Sequence, residues 1–275
     1  MLARLAVVVP SALTAGLLVV ATGPGPTAGT PVAAVSAAAS RDALPTDARP
    51  TDALLTGSHG PANSLDWAGY SVTGATLTSA AGSWTQPAAK CTSTVLSQSA
   101  FWVGIDGYAS ADPTVQQVGT DADCTKSKKK VYYAWYELYP DSIVTLSTAT
   151  HPVSPGDTLS AAVSGVGSTF TLTLTDIGRW TFSTVQVTPQ APLDSSAEWI
   201  AEAPTACTAT ICKAVNLANF GAVRFTGASA NGLPVNATSF TNHQITMTNK
   251  TGAIVKASTS SLVSGSAFTV TWKHS

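Results

Sequence analysis

Charged residues are scarce in this 275-residue sequence, and that scarcity excludes one broad class of function. Lysine and arginine together number 14, aspartate and glutamate number 15, and charged residues make up 11% of the chain, with a net charge of −1. A nucleic-acid-binding protein needs a basic surface that displaces counterions from phosphates, and this composition does not supply one. Apolar residues make up 44% of the chain, which is enough for a packed core and excludes disorder along its whole length.

Glutamate is almost absent: only Glu137, Glu198 and Glu202 occur. Helical surfaces normally carry many glutamates and lysines, because straight-chain residues lose little entropy there. From Trp67 onward the chain instead shows short alternating runs between turn residues, at 131–139, 158–163, 169–175 and 267–272. We therefore expect an all-β fold, a sandwich or a barrel, in one domain of about 210 residues without internal repeats.

Long apolar runs are absent after the N-terminal leader, so no later segment is expected to cross a bilayer. Residues 1–28 are typical of a secretory signal peptide, with Arg4 before an apolar core from Leu5 to Ala21. A membrane anchor is the alternative, but the run is short for a span of about 20 residues and contains Pro10. We expect a secreted protein that has no membrane contact after signal removal.

Residues 29–62 are rich in alanine, proline, serine and threonine and almost lack aromatic residues. Such a composition indicates a linker or a pro-segment. The folded domain is therefore expected to cover residues 63–275.

Only four cysteines occur, and no C-x-x-C pair lies among them. An even number of cysteines in an exported chain predicts two disulfides. Cys207 and Cys212 would close a small loop, which leaves Cys91 to pair with Cys124. A zinc site is the competing interpretation, but no histidine lies at ligand spacing, so we expect no metal.

Several familiar catalytic motifs are missing. The sequence has no G-x-S-x-G elbow and no zinc-protease histidine pair, although a Ser-His-Asp arrangement stays open because such triads are recognised by geometry. Glu198 and Glu202 are four residues apart, so in a strand they share a face at a distance of about 13 Å. Paired carboxylates of glycosidases lie roughly 5 to 10 Å apart, so these two alone do not predict a glycosidase.

Several ordered blocks of this chain, from Asn63 to Phe225, together resemble the glutamic peptidases, or eqolisins. The blocks are NSLDWAGY at 63–70, GSWTQP at 82–87, WVGIDG at 102–107, VQQVG at 115–119, YYAWYELYP at 132–140 and AEWIAE at 197–202. This resemblance implies a sandwich of two curved antiparallel sheets, of the concanavalin-like or jelly-roll type, with the catalytic pair on one concave face. It also implies that residues 29–62 are a pro-segment.

The resemblance assigns Gln117 and Glu202 as the catalytic pair. It places Glu137 at the family's acidic position and supports the small Cys207–Cys212 loop. We expect substrate-binding or supporting roles for five residues near the pair: Trp102, Asp106, Asp121, Trp135 and Glu137. Tyr133 stands where fungal members carry aspartate, which alters the polarity expected of the substrate pocket.

A Glu–Gln pair suits hydrolysis in acid. An ionised Glu202 can take a proton from water and return it to the leaving amine, while the amide of Gln117 donates to the oxyanion and does not titrate. We expect a monomeric, secreted acid endopeptidase that is made as a precursor, cleaves proteins or peptides, uses no cofactor and is insensitive to pepstatin. The alternative is a non-catalytic carbohydrate- or cell-wall-binding sandwich, for which Tyr108, Tyr136 and Tyr139 could supply exposed rings.

Overall fold

The computed structural model describes residues 62–109, 112–207 and 212–275, and all regular elements in these ranges are strands. The predicted signal peptide and the predicted pro-segment up to residue 61 lie outside the described residues. No helix in the described ranges is long and apolar enough to cross a membrane.

The first sheet contains the strands that carry the predicted site residues. Its pairing order is β8 (Val144–Thr145), β7 (Lys130–Tyr139), β6 (Val115–Cys124), β5 (Ala100–Ile105), β12 (Ala197–Glu202), β2 (Trp67–Thr73) and β18 (Thr241–Thr248). All of these pairings are antiparallel, and the short β1 (Ala62–Ser64) runs parallel to β18.

The second sheet is also antiparallel. Its pairing order is β11 (Trp180–Val187), β10 (Thr169–Asp176), β9 (Thr158–Val166), β3 (Ser79–Thr85), β16 (Ala222–Ala230), β20 (Phe268–Trp272) and β19 (Val255–Thr259). β19 also pairs with β18 at Met247 and Thr248, so the two sheets are joined at one edge and not closed into a barrel.

The remaining strands are short. β4 (Ser97–Gln98) pairs with β6 and with β15 (Asn216–Leu217), and β17 (Leu233–Pro234) pairs with β16. β13 (Thr205–Cys207) and β14 (Cys212–Ala214) form a separate antiparallel pair.

The two sheets pack face to face. The indole N–H of Trp84 on β3 donates to Thr120 on β6 at 3.2 Å, and that of Trp199 on β12 donates to the carbonyl of Ala81 on β3 at 2.7 Å. Between the sheets lies one large apolar cluster that takes side chains from both. The predicted all-β sandwich is therefore confirmed.

The alternation visible in the sequence accounts for this packing. In β10, Phe170, Leu172 and Leu174 are buried in the core, while the threonines between them lie on the opposite face. Because side chains alternate between the faces of a strand, the hydroxyl–apolar pattern was sufficient to predict this strand and its buried face.

One predicted disulfide is present, and the other falls partly outside the described residues. Cys91 is bonded to Cys124 at the end of β6. The backbone pairs Cys207 with Cys212 across β13 and β14, but the side chains of these two cysteines are not among those described. The Cys207–Cys212 bond stays a prediction.

Candidate active site

A second cluster of buried residues covers the outer face of the first sheet, on the side away from the core. It includes Trp67, Trp102, Trp135 and Ile200. Since side chains alternate along a strand, Gln117 and Asp121 on β6 share the face of Val115, and Glu198 and Glu202 on β12 share the face of Ile200. All predicted site residues on the strands thus lie on one face.

The strand register arranges this face in three rows, each formed by residues paired across neighbouring strands. The amide row contains Glu137, Gln117, Gly104, Glu198, Ser71 and His243. The tryptophan row contains Trp135, Gly119, Trp102, Ile200, Gly69 and Ile245. The acid row contains Tyr133, Asp121, Ala100, Glu202 and Trp67.

The register brings Gln117 level with Glu198 and not with Glu202. Gln117 and Glu198 are separated only by Gly104, so their Cα atoms lie about 10 Å apart, twice the spacing of adjacent strands. Glu202 lies four residues further along β12, which adds about 13 Å along the strand and gives about 16 Å from Gln117. The register therefore brings the backbone of Glu198 closer to Gln117 than that of Glu202.

The absence of a side chain at Gly104 lets the Trp102 ring extend between Gln117 and Glu198. A Cβ atom at Gly104 would lie 2.9 Å from Cζ3 of Trp102 and 3.2 Å from Cβ of Gln117. The Trp102 ring therefore extends from its own row toward the amide row. Any larger residue at position 104 would collide with this ring or with Gln117.

The hydrogen bonds of Gln117 fix the orientation of its amide. Its Nε2 donates to Oε2 of Glu137 at 2.6 Å. Within the described part of the chain, Oε1 of Gln117 is buried and makes no hydrogen bond. Buried polar atoms nearly always have a partner, so this atom fits a site that receives water or substrate.

Glu198 is fully buried beside Gln117. Ser71 donates to its Oε1 at 3.1 Å, while Oε2 makes no hydrogen bond among the described residues. Burial raises the pKa of Glu198 well above its usual range, and the charges of Asp106 and Asp112 add to the rise, whereas the Ser196 and Ser71 hydroxyls oppose it. Burial therefore makes the Glu198 carboxylate a stronger base than an exposed glutamate.

Glu202 accepts a hydrogen bond from a tryptophan. Trp102 donates its indole N–H to Oε2 of Glu202 at 2.7 Å, and the Trp102 ring packs edge-on against Trp67. Burial raises the pKa of Glu202 to about 8; the charge of Asp66 adds to the rise, and the indole N–H groups of Trp102 and Trp67 oppose it.

Asp121 orients the other tryptophan of the same row. Trp135 donates its indole N–H to Oδ1 of Asp121 at 2.6 Å. Both indoles of the tryptophan row therefore donate into carboxyls of the acid row. Together Trp102 and Trp135 form the floor beside Gln117 and Glu198.

Asp106 lies just after β5 and holds a loop in place. With a φ of 65°, it occupies the left-handed region, which aspartate tolerates better than most residues. Its carboxyl accepts backbone N–H bonds from Leu193, Asp194 and Ser195 at 2.8 to 3.1 Å. Asp106 thereby fixes the segment that leads into β12 and Glu198.

Glu198, Ser71 and His243 lie outside the predicted set and also belong to this site. His243 ends the amide row; its ring stacks on that of Tyr108 at 4.6 Å and its Nε2 lies 2.9 Å from Oγ1 of Thr73. Tyr108 is buried, contrary to the expectation of an exposed ring, which weakens the carbohydrate-binding alternative. Ser71 and His243 carry no sequence signal, because only the register places them beside Glu198.

In the described ranges, no group of three or more His, Cys, Asp or Glu side chains is arranged to hold a metal ion.

A comparison with known protein families shows which family the chain belongs to. Residues 65–272 match the model of the Peptidase A4 family. The chain belongs to this family. The match runs to residue 272. It therefore extends beyond Phe225, where the resemblance seen in the sequence ends.

Solved structures of this family share the fold. Scytalido-glutamic peptidase, bound to a transition-state analog inhibitor, is 23% identical, with a TM-score of 0.63 over 76% of this chain and 98% of its own. SCP-B, a member of the eqolisin family bound to the tripeptide Ala-Ile-His, is 23% identical, with a TM-score of 0.58 over the same shares. No curated protein sequence matches the chain significantly. Membership of the Peptidase A4 family makes this chain a peptidase of the glutamic type.

Proposed function

We propose that this protein is a secreted, monomeric endopeptidase that hydrolyses proteins or peptides with one water molecule held between Gln117 and Glu198. The observation that carries the proposal is the amide row, in which an amide and a carboxyl face each other across a glycine. Family membership supports the reaction class, and the register supports the choice of the pair.

Glu198 is the proposed proton carrier. Its ionised form takes a proton from the water as that water attacks the peptide carbonyl, and the resulting acid returns the proton to the leaving amine. Its raised pKa makes the carboxylate a stronger base than an exposed glutamate. Ser71 keeps the carboxyl oriented through its hydrogen bond to Oε1.

Gln117 is the proposed partner of the water and of the oxyanion. One Nε2 hydrogen is used by Glu137, so the second can donate to the developing oxyanion, while Oε1 accepts from the water. Removal of a single oxyanion donor typically costs about 3 kcal/mol, or roughly 100-fold in rate. Glu137 acts through Gln117 as a positioning residue.

Glu202, which the family resemblance assigned as the catalytic glutamate, receives a different role in this proposal. Its hydrogen bond to Trp102 and its distance from Gln117 favour a positioning role beneath the substrate. The family resemblance assigns the catalytic role to Glu202, and this proposal assigns it to Glu198, which lies four residues earlier on the same strand.

An acidic working range is supported by the carboxyls around the site. The pKa of Asp123 is about 7 and that of Glu202 about 8, both raised mainly by burial, so both groups are neutral in acid. The amide of Gln117 does not titrate, unlike the imidazole of a serine protease, which is protonated below a pH of about 6.5. Asp123, Glu202 and the Gln117 amide therefore each keep one protonation state throughout the acidic range.

Synthesis as a precursor is supported by the composition of residues 29–62, which are rich in alanine, proline, serine and threonine and almost lack aromatic residues. Removal of the signal peptide (1–28) and of the pro-segment (29–62) is the proposed route. β1 begins at Ala62 and pairs with β18, which favours processing at or before this residue.

Digestion of casein and haemoglobin from pH 2 to pH 7 tests the proposal. We expect cleavage after acid activation, strongest at acidic pH and unchanged by pepstatin, since that inhibitor mimics a transition state held between two aspartates. The acid-activated wild type and Glu198→Gln are compared at equal concentration. Absence of cleavage at every pH, after processing has been verified by mass, would contradict the proposal.

A further inference from the structure

Tyr133 lies between two buried aspartates that the proposed reaction does not use directly. Its hydroxyl oxygen is 2.9 Å from Oδ2 of Asp121 and 3.2 Å from Oδ2 of Asp123. A tyrosine hydroxyl has one hydrogen, and sharing it between two acceptors gives each a weaker bond than donating it to one. Both contacts are full hydrogen bonds only if one carboxyl carries a hydrogen of its own and donates it to the Tyr133 oxygen.

The remaining partners of both carboxyls are donors as well. Asp121 accepts from Trp135, and Asp123 accepts from Nε2 of Gln98 at 3.0 Å and from the backbone N–H of Ser99 at 3.3 Å. None of these groups can supply the missing hydrogen to the tyrosine oxygen. Among the described residues, no lysine or arginine forms an ion pair with either aspartate that could hold two negative charges together.

We propose that Asp121, Tyr133 and Asp123 share a single proton, and that Tyr133 is thereby a positioning residue that holds Asp121 and, through it, Trp135. With the proton on Asp123, this acid donates to the Tyr133 oxygen, and Tyr133 donates to ionised Asp121. With no proton, two carboxylates compete for one hydroxyl; with two protons, one acid hydrogen has no acceptor in the chain. The claim that the three residues share a proton does not depend on the proposed peptidase function. The claim that Tyr133 is a positioning residue rests on that function.

The surroundings of Asp121 and Asp123 are mostly uncharged. β5 presents Ala100 and the neighbouring segment presents Ser99, β4 presents Gln98, and β12 presents Glu202 across Ala100 in the acid row. Glu137, the nearest other acid on β7, lies two rows away. Burial is the main cause of the raised pKa of both aspartates; the charges of Asp123 and Glu202 add to the rise at Asp121, and the Tyr133 hydrogen bond opposes it at both.

Asp123→Asn imitates the protonated acid permanently. The new amide can donate to the Tyr133 oxygen, and Gln98 can turn to accept from it, because Oε1 of Gln98 is buried without a partner among the described residues. The wild type must lose the shared proton as the pH rises from about 5 to 8, and its melting temperature falls with it. We expect the melting temperature of Asp123→Asn, relative to wild type, to rise by several degrees over this range.

For Tyr133→Phe we expect the melting temperature, relative to wild type, to change in the opposite direction. Without the hydroxyl, negative charge on the pair is less stabilised, so the melting temperature of this variant, relative to wild type, should fall further as the pH rises. Tyr132→Phe is the matched control, because its hydroxyl accepts from the backbone of Ala89 on the core side of the sheet. Asp141→Asn, on an exposed turn, is the control for the aspartate change. Both controls should follow the wild type.

These melting curves need no enzyme activity and therefore separate the proton-sharing claim from the proposed function. If Asp123→Asn and Tyr133→Phe both run parallel to the wild type from pH 5 to pH 8, no proton is shared and the proposal is overturned. If Asp123→Asn does not fold, Tyr133→Phe against Tyr132→Phe decides in the same way. In activity assays, Tyr133→Phe should lower kcat about tenfold with little change in KM, since Trp135 loses its orientation; an unchanged kcat would overturn the positioning role.

Discussion

At the scale of single residues, the absence of a side chain at Gly104 matters as much as the presence of Gln117 and Glu198. A glycine between the two functional groups makes room at the centre of the amide row for the Trp102 ring. The distances from the missing Cβ leave no room for even a methyl group without movement of Trp102 or Gln117.

Gly104→Ala therefore should impair catalysis more than folding. A Cβ atom at 2.9 Å from the Trp102 ring must displace either the ring or Gln117, and a shift of about 1 Å in a catalytic group typically costs about 100-fold in rate. Overpacking of this kind costs about 1 to 3 kcal/mol of unfolding free energy. Steady-state kinetics and urea unfolding of the variant give the two values; a kcat/KM within threefold of wild type would show that the space is not used.

At the scale of strands, the alternation of residues predicted the elements but not their register. The hydroxyl–apolar alternation of 169–175 gave β10 and its buried face, and the spacing of Glu198 and Glu202 placed both on one face of β12. Which of the two lies opposite Gln117 depends on how β5 pairs with both β6 and β12. That pairing depends on turns and long-range contacts, and an offset of four residues leaves the hydrophobic pattern of β12 unchanged.

The same limit explains why supporting residues were missed. Ser71 and His243 lie far from Glu198 and Gln117 along the chain, and each joins the site only through strand pairing. Asp123 lies on the same strand as Gln117, but its contact with Tyr133 is a hydrogen bond between neighbouring strands. The tryptophans of the WVGIDG and YYAWYELYP blocks were placed near the site by the resemblance. Their orientation by Glu202 and Asp121 depends on hydrogen bonds between different strands, which the sequence does not show.

The Cys91–Cys124 bond anchors the end of β6 next to Asp123. It closes a loop with a sequence separation of 33. Loss of a constraint of this length lowers the unfolding free energy by about 4 kcal/mol in the chain-entropy model. We expect Cys91→Ser/Cys124→Ser to shift the urea midpoint downward; a midpoint equal to that of wild type would mean that the bond adds no stability.

At the scale of the whole molecule, the sandwich buries several carboxyls on one face of the first sheet. Burial raises the pKa of Glu198, Glu202, Asp121 and Asp123, with values of about 8 for Glu202 and about 7 for Asp123. A group whose pKa is raised in the folded state binds its proton more tightly there than in the unfolded chain. Its contribution to stability is fully present below the unfolded pKa, near 4, and is lost as the pH rises through the folded value.

The protein should therefore be most stable in acid and lose stability toward neutral and mildly alkaline pH. We expect the melting temperature to fall steadily between about pH 5 and pH 8, the range set by the values for Asp123 and Glu202. Calorimetry of the Glu198→Gln variant, in which self-digestion is prevented, measures this trend. A melting temperature that rises over this interval would contradict the account of the buried carboxyls.

The central claim is that the amide row, and not the acid row, holds the attacking water. Kinetics of Glu198→Gln and Glu202→Gln, prepared and activated side by side, test it most directly. Glu198→Gln should lower kcat about 10³-fold or more, because the proton carrier is gone. Glu202→Gln should stay within about tenfold of wild type, because its amide oxygen can still accept from Trp102. An inactive Glu202→Gln beside an active Glu198→Gln would contradict the claim and return the catalytic role to Glu202.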